Sequence, residues 1–408
     1  MPIEQIPTLI IGGGQAGLVM SHRLKQRGLP HLVLERSRIA ERWRSERWDG
    51  LRFQFPNWSV RLPDFPYPHA EPDAFATTGE ILDFINAYAA FVAPPIRCGV
   101  AVTKLRSRDG SSGFIADTSQ GPIEADNVVV ATGPYQRAVI PDLLRDHPEL
   151  FQVHASRYAN PGQLPKGAVL VVGSGASGAQ IAEELLRAGR RVFLSVGTHT
   201  RLPRRYRGRD LIWWLSEMGI DQTPVEQRGP SRLLPVISGA YGGHTIDFRR
   251  FAAQGVTLLG RLVSAHAGIL DLAADLPERL VSGDAIYATF LDMVDAHIER
   301  HALQMPQDPA ARTSLPDPPC VIEPIRQLDL HASGISAVIW ATGYGVDFGW
   351  IDIPVLDARG EPIHRGGITA IPGLYFLALQ WLSKMSSSFL SGVGDDAAVL
   401  ADHIGARL

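Results

Sequence analysis

The chain has 408 residues, 45% of them hydrophobic and 20% charged, with a net charge of −3. This ordinary globular composition leaves room for two domains, and the near-neutral charge argues against a global attraction to nucleic acid or acidic lipid. The two cysteines, Cys98 and Cys320, cannot make a C-x-x-C pair, a zinc cluster or a disulfide framework, and no apolar stretch reaches membrane-spanning length. The expectations are therefore a cytoplasmic protein with no metal site and no C-x-x-C disulfide chemistry.

A strand pattern, Thr8–Ile11, leads into Gly12-Gly13-Gly14-Gln15-Ala16-Gly17. The apolar start at Ile6 is too short for a secretory core and reads as part of this strand. The pattern predicts a helix from about Ala16 to Arg27, stopped by Gly28, then a second strand over His31–Glu35. This is a G-x-G-x-x-G fingerprint in strand-turn-helix context. Its glycines allow a tight turn and let a pyrophosphate approach N–H groups at a helix N-terminus. Glu35 lies 21 residues after Gly14, where an acidic residue binds the adenosine ribose.

Residues 41–75 carry Trp43, Trp48 and Trp58 among Pro56, Pro63, Pro66 and Pro68. Proline at this density excludes a regular helix and predicts an ordered loop, read here as a wall of the cofactor pocket. A helix is expected over 79–92, with short strands at Ile96–Leu105 and Gly113–Thr118. A buried strand, Asn127–Ala131, ends in Ala131-Thr132-Gly133. A near copy, Val338 to Gly343, closes on Ala341-Thr342-Gly343 downstream of the second fingerprint. The pair reads as the exit from one dinucleotide domain and the return from another.

The second fingerprint, Gly173-Ser174-Gly175-Ala176-Ser177-Gly178, follows a strand starting at Ala168. Its helix presents Ile181, Leu185 and Leu186 on one face and ends at Gly189, and its second strand is Arg191–Val196. The acidic residue is missing here. Ser195 stands at the strand end, and Arg201, Arg204, Arg205, Arg207 and Arg209 follow. A carboxylate would repel a 2′-phosphate, whereas Ser and one or two arginines would bind it, which favours NADPH over NADH. Two fingerprints imply two dinucleotides, and such enzymes usually pass a hydride from nicotinamide to flavin.

Helices are expected at Leu211–Met218 and Ala285–His301, and a proline-rich loop at 306–319. A strand follows the turn at Pro372-Gly373. Then Ser386-Ser387-Ser388 forms a polar loop, and Gly392 to Ala398 opens a C-terminal helix with Asp395 and Asp396 in its first turn. The acidic pair suits either capping or a contact with the ribityl chain of a flavin.

These segments together resemble the class B flavin-dependent monooxygenases, and within them the bacterial flavoproteins called CzcO-like. The carriers are GGGQAGL, LERSRIAERWRSERWDGLRF, PNWSVRLPDFPYP, ATGPY, VHASRY, VVGSGASGAQIAEEL, WATGY, PGLYFLALQWL and GVGDDAAVLADHI. The resemblance implies an α/β protein with two Rossmann-like domains. Residues 1–160 and 331–408 bind FAD, and residues 161–330 form an inserted NADPH domain. Cofactor contacts are expected from Gly12, Gly14, Gln15, Ala16, Gly17, Glu35, Arg36, Arg42, Trp43, Trp48, Val100, Ala131, Thr132 and Gly133. Further contacts are expected from Gly173, Gly175, Ala176, Ser177, Gly178, Ser195, Arg201, Arg204, Ala341, Thr342, Gly343, Asp395 and Asp396.

The class signature places Phe and Gly before a His and an aromatic residue after it. Here His154 and Tyr158 keep the second half, while Pro148 and Leu150 fill the Phe and Gly positions. The full Baeyer–Villiger or N-hydroxylating fingerprint is therefore absent. Counting back from Asp64-Phe65-Pro66, Gln54 stands where animal-type enzymes have a flavin-facing Asn. Gln54 is the candidate amide donor, with Asn57 and Trp58 shaping its pocket. His154 sits in the link between domains, where a histidine more often fixes backbone than acts as a general base. The resemblance implies a monooxygenase using NADPH and O2 through a C4a-(hydro)peroxyflavin on a small sulfide, amine or ketone. The alternative is a flavin reductase that oxygenates nothing. Partners are the small-molecule substrate and O2, without nucleic acid or membrane, and a homodimer is common for such enzymes.

Overall fold

The computed structural model describes residues 3–108, 110, 112–229 and 235–407. Its first unit is organised around β1 (Glu4–Ile11), whose last four residues are buried. β1 turns into α1 (Gln15–Gln26), and the chain returns through β2 (Leu32–Glu35), parallel to β1. The strand starts at Glu4 rather than Thr8 because the backbone of Glu4–Ile6 pairs with Ile123–Ala125, a contact that an apolar pattern does not register.

Helix α2 (Thr78–Val92) begins on a capping box between Thr77 and Glu80. β3 (Ile96–Cys98) adds in parallel to β2. β4 (Val102–Ser107), β5 (Phe114–Thr118) and β6 (Gly121–Val130) then form an antiparallel meander, and β6 runs parallel to the whole of β1.

The second unit is a five-stranded sheet, parallel throughout. Its strands are β7 (Phe151–His154), β8 (Ala168–Val172), β9 (Val192–Ser195), β10 (Thr257–Leu259) and β11 (Ile335–Trp340), in the spatial order β7-β11-β8-β9-β10. All five residues of β8 are buried, as a strand covered on both faces requires. Helix α3 (Ala176–Arg187) links β8 to β9, and α4 (Leu276–His301) lies between β10 and β11.

The chain then returns to the first unit. β12 (Leu374–Phe376) pairs with the end of β6, and α5 (Val393–Gly405) packs on α1. The second sheet thus draws in β7 and β11, which the boundaries 1–160 and 331–408 would assign to the first unit. β11 is mostly apolar and β7 reads Phe-Gln-Val-His, and nothing local in either says which sheet will pair with it. Helix α4 starts at Leu276 rather than Ala285. Pro277 sits in its first turn, where a missing N–H costs nothing. Gly283, which resembles a break, is instead demanded by packing: a Cβ there would lie 2.5 Å from His199 Nε2. Among the described residues no helix is long and apolar enough to cross a membrane, and no group of side chains is arranged to hold a metal ion.

Candidate functional site

The two glycine turns are built alike. Gly12 has φ +118° and Gly173 φ +104°, in the left-handed region that favours glycine. A Cβ on Gly12 would meet the Ala131 carbonyl at 2.7 Å, and one on Gly173 would meet the Ala341 carbonyl at 2.5 Å. Gly17 and Gly178 press on the carbonyls of Gly12 and Gly173, where a Cβ would stand at 1.8 and 1.9 Å. By contrast, Gly14 and Gly175 have nothing within 4 Å of a Cβ position. These two residues cap α1 and α3 without any side-chain hydrogen bond. The first-turn N–H groups at Gln15-Ala16 and Ala176-Ser177 therefore open on space, as a pyrophosphate requires.

Around the first turn, the Glu35 carboxylate accepts from the N–H of Gly13 at 2.7 Å and of Ser37 at 2.8 Å. A carboxylate has about four acceptor positions, so acceptor capacity remains for ribose hydroxyls. The Glu35 carbonyl accepts from the N–H of buried Val100 at 3.0 Å, and Arg36 is exposed with no partner among the described residues. The structure separates the two C-terminal aspartates. Asp395 is exposed and pairs with Lys384, which also donates to Gln222 Oε1 at 2.7 Å. Asp396 is buried; Ser383 Oγ donates to its Oδ1, while its Oδ2 has no partner. Burial pushes the Asp396 carboxyl up from the usual range, against the pull of the Ser383 and Ser387 hydroxyls. A buried acceptor left open beside α5 fits a flavin's polyol hydroxyl, and Gln15 Nε2 ties α1 to the same region through Ser388 O at 3.2 Å.

The 41–75 loop is ordered, with a helical turn at Glu41–Ser45 and a two-residue hairpin pairing Arg61–Leu62 with Phe65–Pro66. Arg42 is committed to Glu46 and to the carbonyls of Tyr135 and Gln136. Trp43 is half-buried, with Phe53 beside its ring and the Arg47 guanidinium over it. Trp48 departs from expectation. It is buried in the core of the second unit with Val153, Tyr158 and Ile181, so packing, and not a cofactor, occupies its ring. Gln54 is half-buried, and its side-chain amide has no hydrogen-bond partner among the described residues. Asn57 is buried and donates to Glu71 O at 3.0 Å, which staples the loop to itself.

The residues expected at the 2′-phosphate are occupied. Ser195 Oγ donates to Gly260 O at 3.0 Å inside the second sheet. Arg201 reaches Asp284 and Asp247 at 2.5 and 2.6 Å and lies over the Tyr287 ring. Arg204 is only 1% exposed and forks onto Asp210. Arg205 bonds the carbonyls of Gly242 and Gly243, Arg207 pairs with Asp295, and Arg209 lies over Trp213. Of the partner carboxylates only Asp210 adjoins the arginine run; Asp247, Asp284 and Asp295 lie far along the chain, and the run looked like a phosphate site without them. Beyond the end of β9, the guanidinium bonded to the turn is that of Arg279, which donates to Thr198 Oγ1 at 2.6 Å and pairs with Asp275.

A family model described as pyridine nucleotide-disulphide oxidoreductase matches residues 9–214. Over 406 residues, covering 98% of both chains, the sequence is 33% identical to an uncharacterized CzcO-like oxidoreductase of Geobacillus kaustophilus. The chain belongs to this family, on its CzcO-like branch. It is a flavin-dependent oxidoreductase of the class B monooxygenase type, with FAD and NADPH as its cofactor pair. It is also 34% identical over 188 residues to the probable indole-3-pyruvate monooxygenase YUCCA1 of Arabidopsis thaliana, 44% of each chain. The fold matches a flavin-containing monooxygenase from Stenotrophomonas maltophilia with TM-score 0.66 and 18% identity, over 99% of both chains.

In this CzcO-like protein the two Ala-Thr-Gly ends are sewn together. Arg137–Ala138 pairs antiparallel with Tyr344–Gly345, Thr342 Oγ1 donates to Val139 O, and Gln136 Nε2 bonds Thr132 Oγ1 and Gly133 O, each at 2.9 Å. His154 is buried at this seam. Its Nδ1 accepts from the Ser156 N–H at 3.1 Å, which leaves Nε2–H to donate to Gly343 O at 3.0 Å. Burial holds its pKa below the ordinary histidine value, so the ring is neutral and serves the link. A cavity of about 520 Å³ opens beside it, lined by Arg36, Arg42, Gln136, Arg157 and Tyr344.

Proposed function

We propose that this CzcO-like oxidoreductase is a monooxygenase that holds FAD in the first glycine cradle and NADPH in the second, and that acts on a small sulfide, amine or ketone. One observation carries the reading: two like-built cradles, each ending on an Ala-Thr-Gly strand, in a chain whose Cys98 and Cys320 are both free. Support comes from the YUCCA1 and Stenotrophomonas maltophilia relatives, whose names are those of monooxygenases.

What FAD supplies when bound is redox chemistry between NADPH and O2. The balance is NADPH, a proton, O2 and substrate giving NADP+, water and oxygenated substrate. The chain binds, orients and excludes water. N–H groups at the start of α1 would hold the FAD pyrophosphate, Glu35 would take the ribose hydroxyls, and Asp396 Oδ2 would accept from the polyol. The start of α3 would hold the NADPH pyrophosphate. Gln54, whose side chain has no partner among the described residues, would offer an amide donor to the flavin.

The deciding experiment mixes NADPH-reduced holoprotein rapidly with oxygenated buffer and follows the flavin spectrum without substrate. The expected result is a blue-shifted flavin absorption that persists before reoxidation. Immediate reoxidation with stoichiometric hydrogen peroxide would replace the monooxygenase reading with that of a reductase.

A further inference from the structure

We propose that Arg204 and Asp210 of the inserted unit are a positioning pair for Gln54, setting the reach of its amide from across the domain boundary. This rests on the reading that Gln54 faces the flavin. Arg204 Nε and Nη2 bind the two Asp210 oxygens at 2.8 and 2.6 Å. The remaining nitrogen, Nη1, donates to the Gln54 carbonyl at 2.7 Å. The Phe75 ring, from the far end of the same loop, lies 4.6 Å from the guanidinium carbon. A charge with so little exposure is expensive to bury unless its donors are satisfied, and here both partners are specific.

Each partner is itself held. Asp210 is 8% exposed, and its Oδ1 also caps the helix Leu211–Glu217 through the Ile212 N–H at 2.9 Å. The Arg204 N–H donates to Thr245 Oγ1 at 2.9 Å, and the Arg204 carbonyl accepts from Leu211 N–H at 2.8 Å. The loop side is wedged as well. A Cβ on Gly239 would stand 2.2 Å from the Phe53 carbonyl, and one on Gly243 would stand 2.5 Å from the Phe75 ring. Residues 53, 54 and 75 are therefore clamped beneath 239–245, and the carbonyl next to the Gln54 side chain is the point that Arg204 grips. A planar fork can serve a carboxylate and a carbonyl at once; a lysine ammonium cannot reproduce both.

The test compares Arg204→Lys, Asp210→Asn and Gln54→Leu holoproteins, and the double variant Arg204→Lys/Gln54→Leu. Asp210→Asn keeps an N-capping side chain and serves if Arg204→Lys folds poorly. Three quantities are read: the affinity of the apoprotein for FAD, the visible absorption of bound flavin, and the hydrogen peroxide released per NADPH oxidised. The expected result is unchanged FAD affinity, a shifted flavin band, and a roughly tenfold rise in peroxide release in each single variant, as a displaced contact near the reacting atoms would cause. The double variant is expected to match Gln54→Leu alone. If Gln54→Leu changes neither band nor peroxide release, the role of Gln54 itself falls. If Gln54→Leu changes both while Arg204→Lys and Asp210→Asn change neither, or if the double variant adds the two effects, the positioning pair is overturned.

Discussion

At the scale of single residues, the glycine turns distinguish positions that shape the backbone from positions that leave room for a ligand. Gly178 cannot gain a Cβ because the Gly173 carbonyl is in the way, whereas the side-chain direction of Gly175 is open. Gly175→Ala is therefore expected to change stability by no more than about 0.5 kcal/mol. It is expected to raise the KM for NADPH several-fold without altering FAD affinity, because the methyl group enters the pyrophosphate space. Steady-state kinetics with a thermal melt checks both halves, and a fall in FAD affinity would move Gly175 out of the NADPH site. The fingerprints were legible residue by residue because the glycine spacing, and the press of Gly17 on Gly12 and of Gly178 on Gly173, are local. The aspartate pair was not. Only burial tells Asp396, with its open Oδ2, from Asp395, which Lys384 already neutralises.

Among elements, those with complete end signals stood out in the sequence. Helix α2 runs over Thr78–Val92, close to the expected 79–92, and the capping box is its start signal. Thr77 Oγ1 accepts from the Glu80 N–H at 3.1 Å while Glu80 accepts from the Thr77 N–H at 2.7 Å. Thr77→Ala is expected to lower unfolding stability by about 1 kcal/mol with an unchanged denaturant slope, measured by urea titration. The start of α4 was hidden because its Gly283 answers to His199, 84 positions earlier in the chain. Strands β7 and β11 fall within the residues 1–160 and 331–408 that the resemblance gives to the first unit, yet hydrogen bonding puts them in the second sheet. An apolar run announces a strand and stays silent about its partner.

Across the whole molecule, burial of neutral histidines links stability to pH. Burial, in each case the main cause, holds His31, His154, His199 and His364 below the ordinary value of 6.5. The unfolded chain therefore binds protons more readily than the fold as pH drops through 6.5. This contribution is fully present above 6.5 and is lost progressively toward the lowered folded values. The melting temperature of the holoprotein is expected to fall between pH 7.5 and 5.5 in calorimetry, and a flat profile would contradict these four assignments. At this scale the sequence by itself determined that the chain carries two dinucleotide units of α/β type, because strand-turn-helix geometry, the glycine demands and the Ala-Thr-Gly ends are written in contiguous residues. It did not determine where the five arginines go. Arg201 finds Asp247 and Asp284, and Arg204 finds Asp210 and the Gln54 carbonyl, 150 positions away. A charge run looks the same whether it faces a phosphate or buried carboxylates. Only the tertiary structure decides, because the cost of burying a guanidinium depends on partners that chain folding brings from elsewhere.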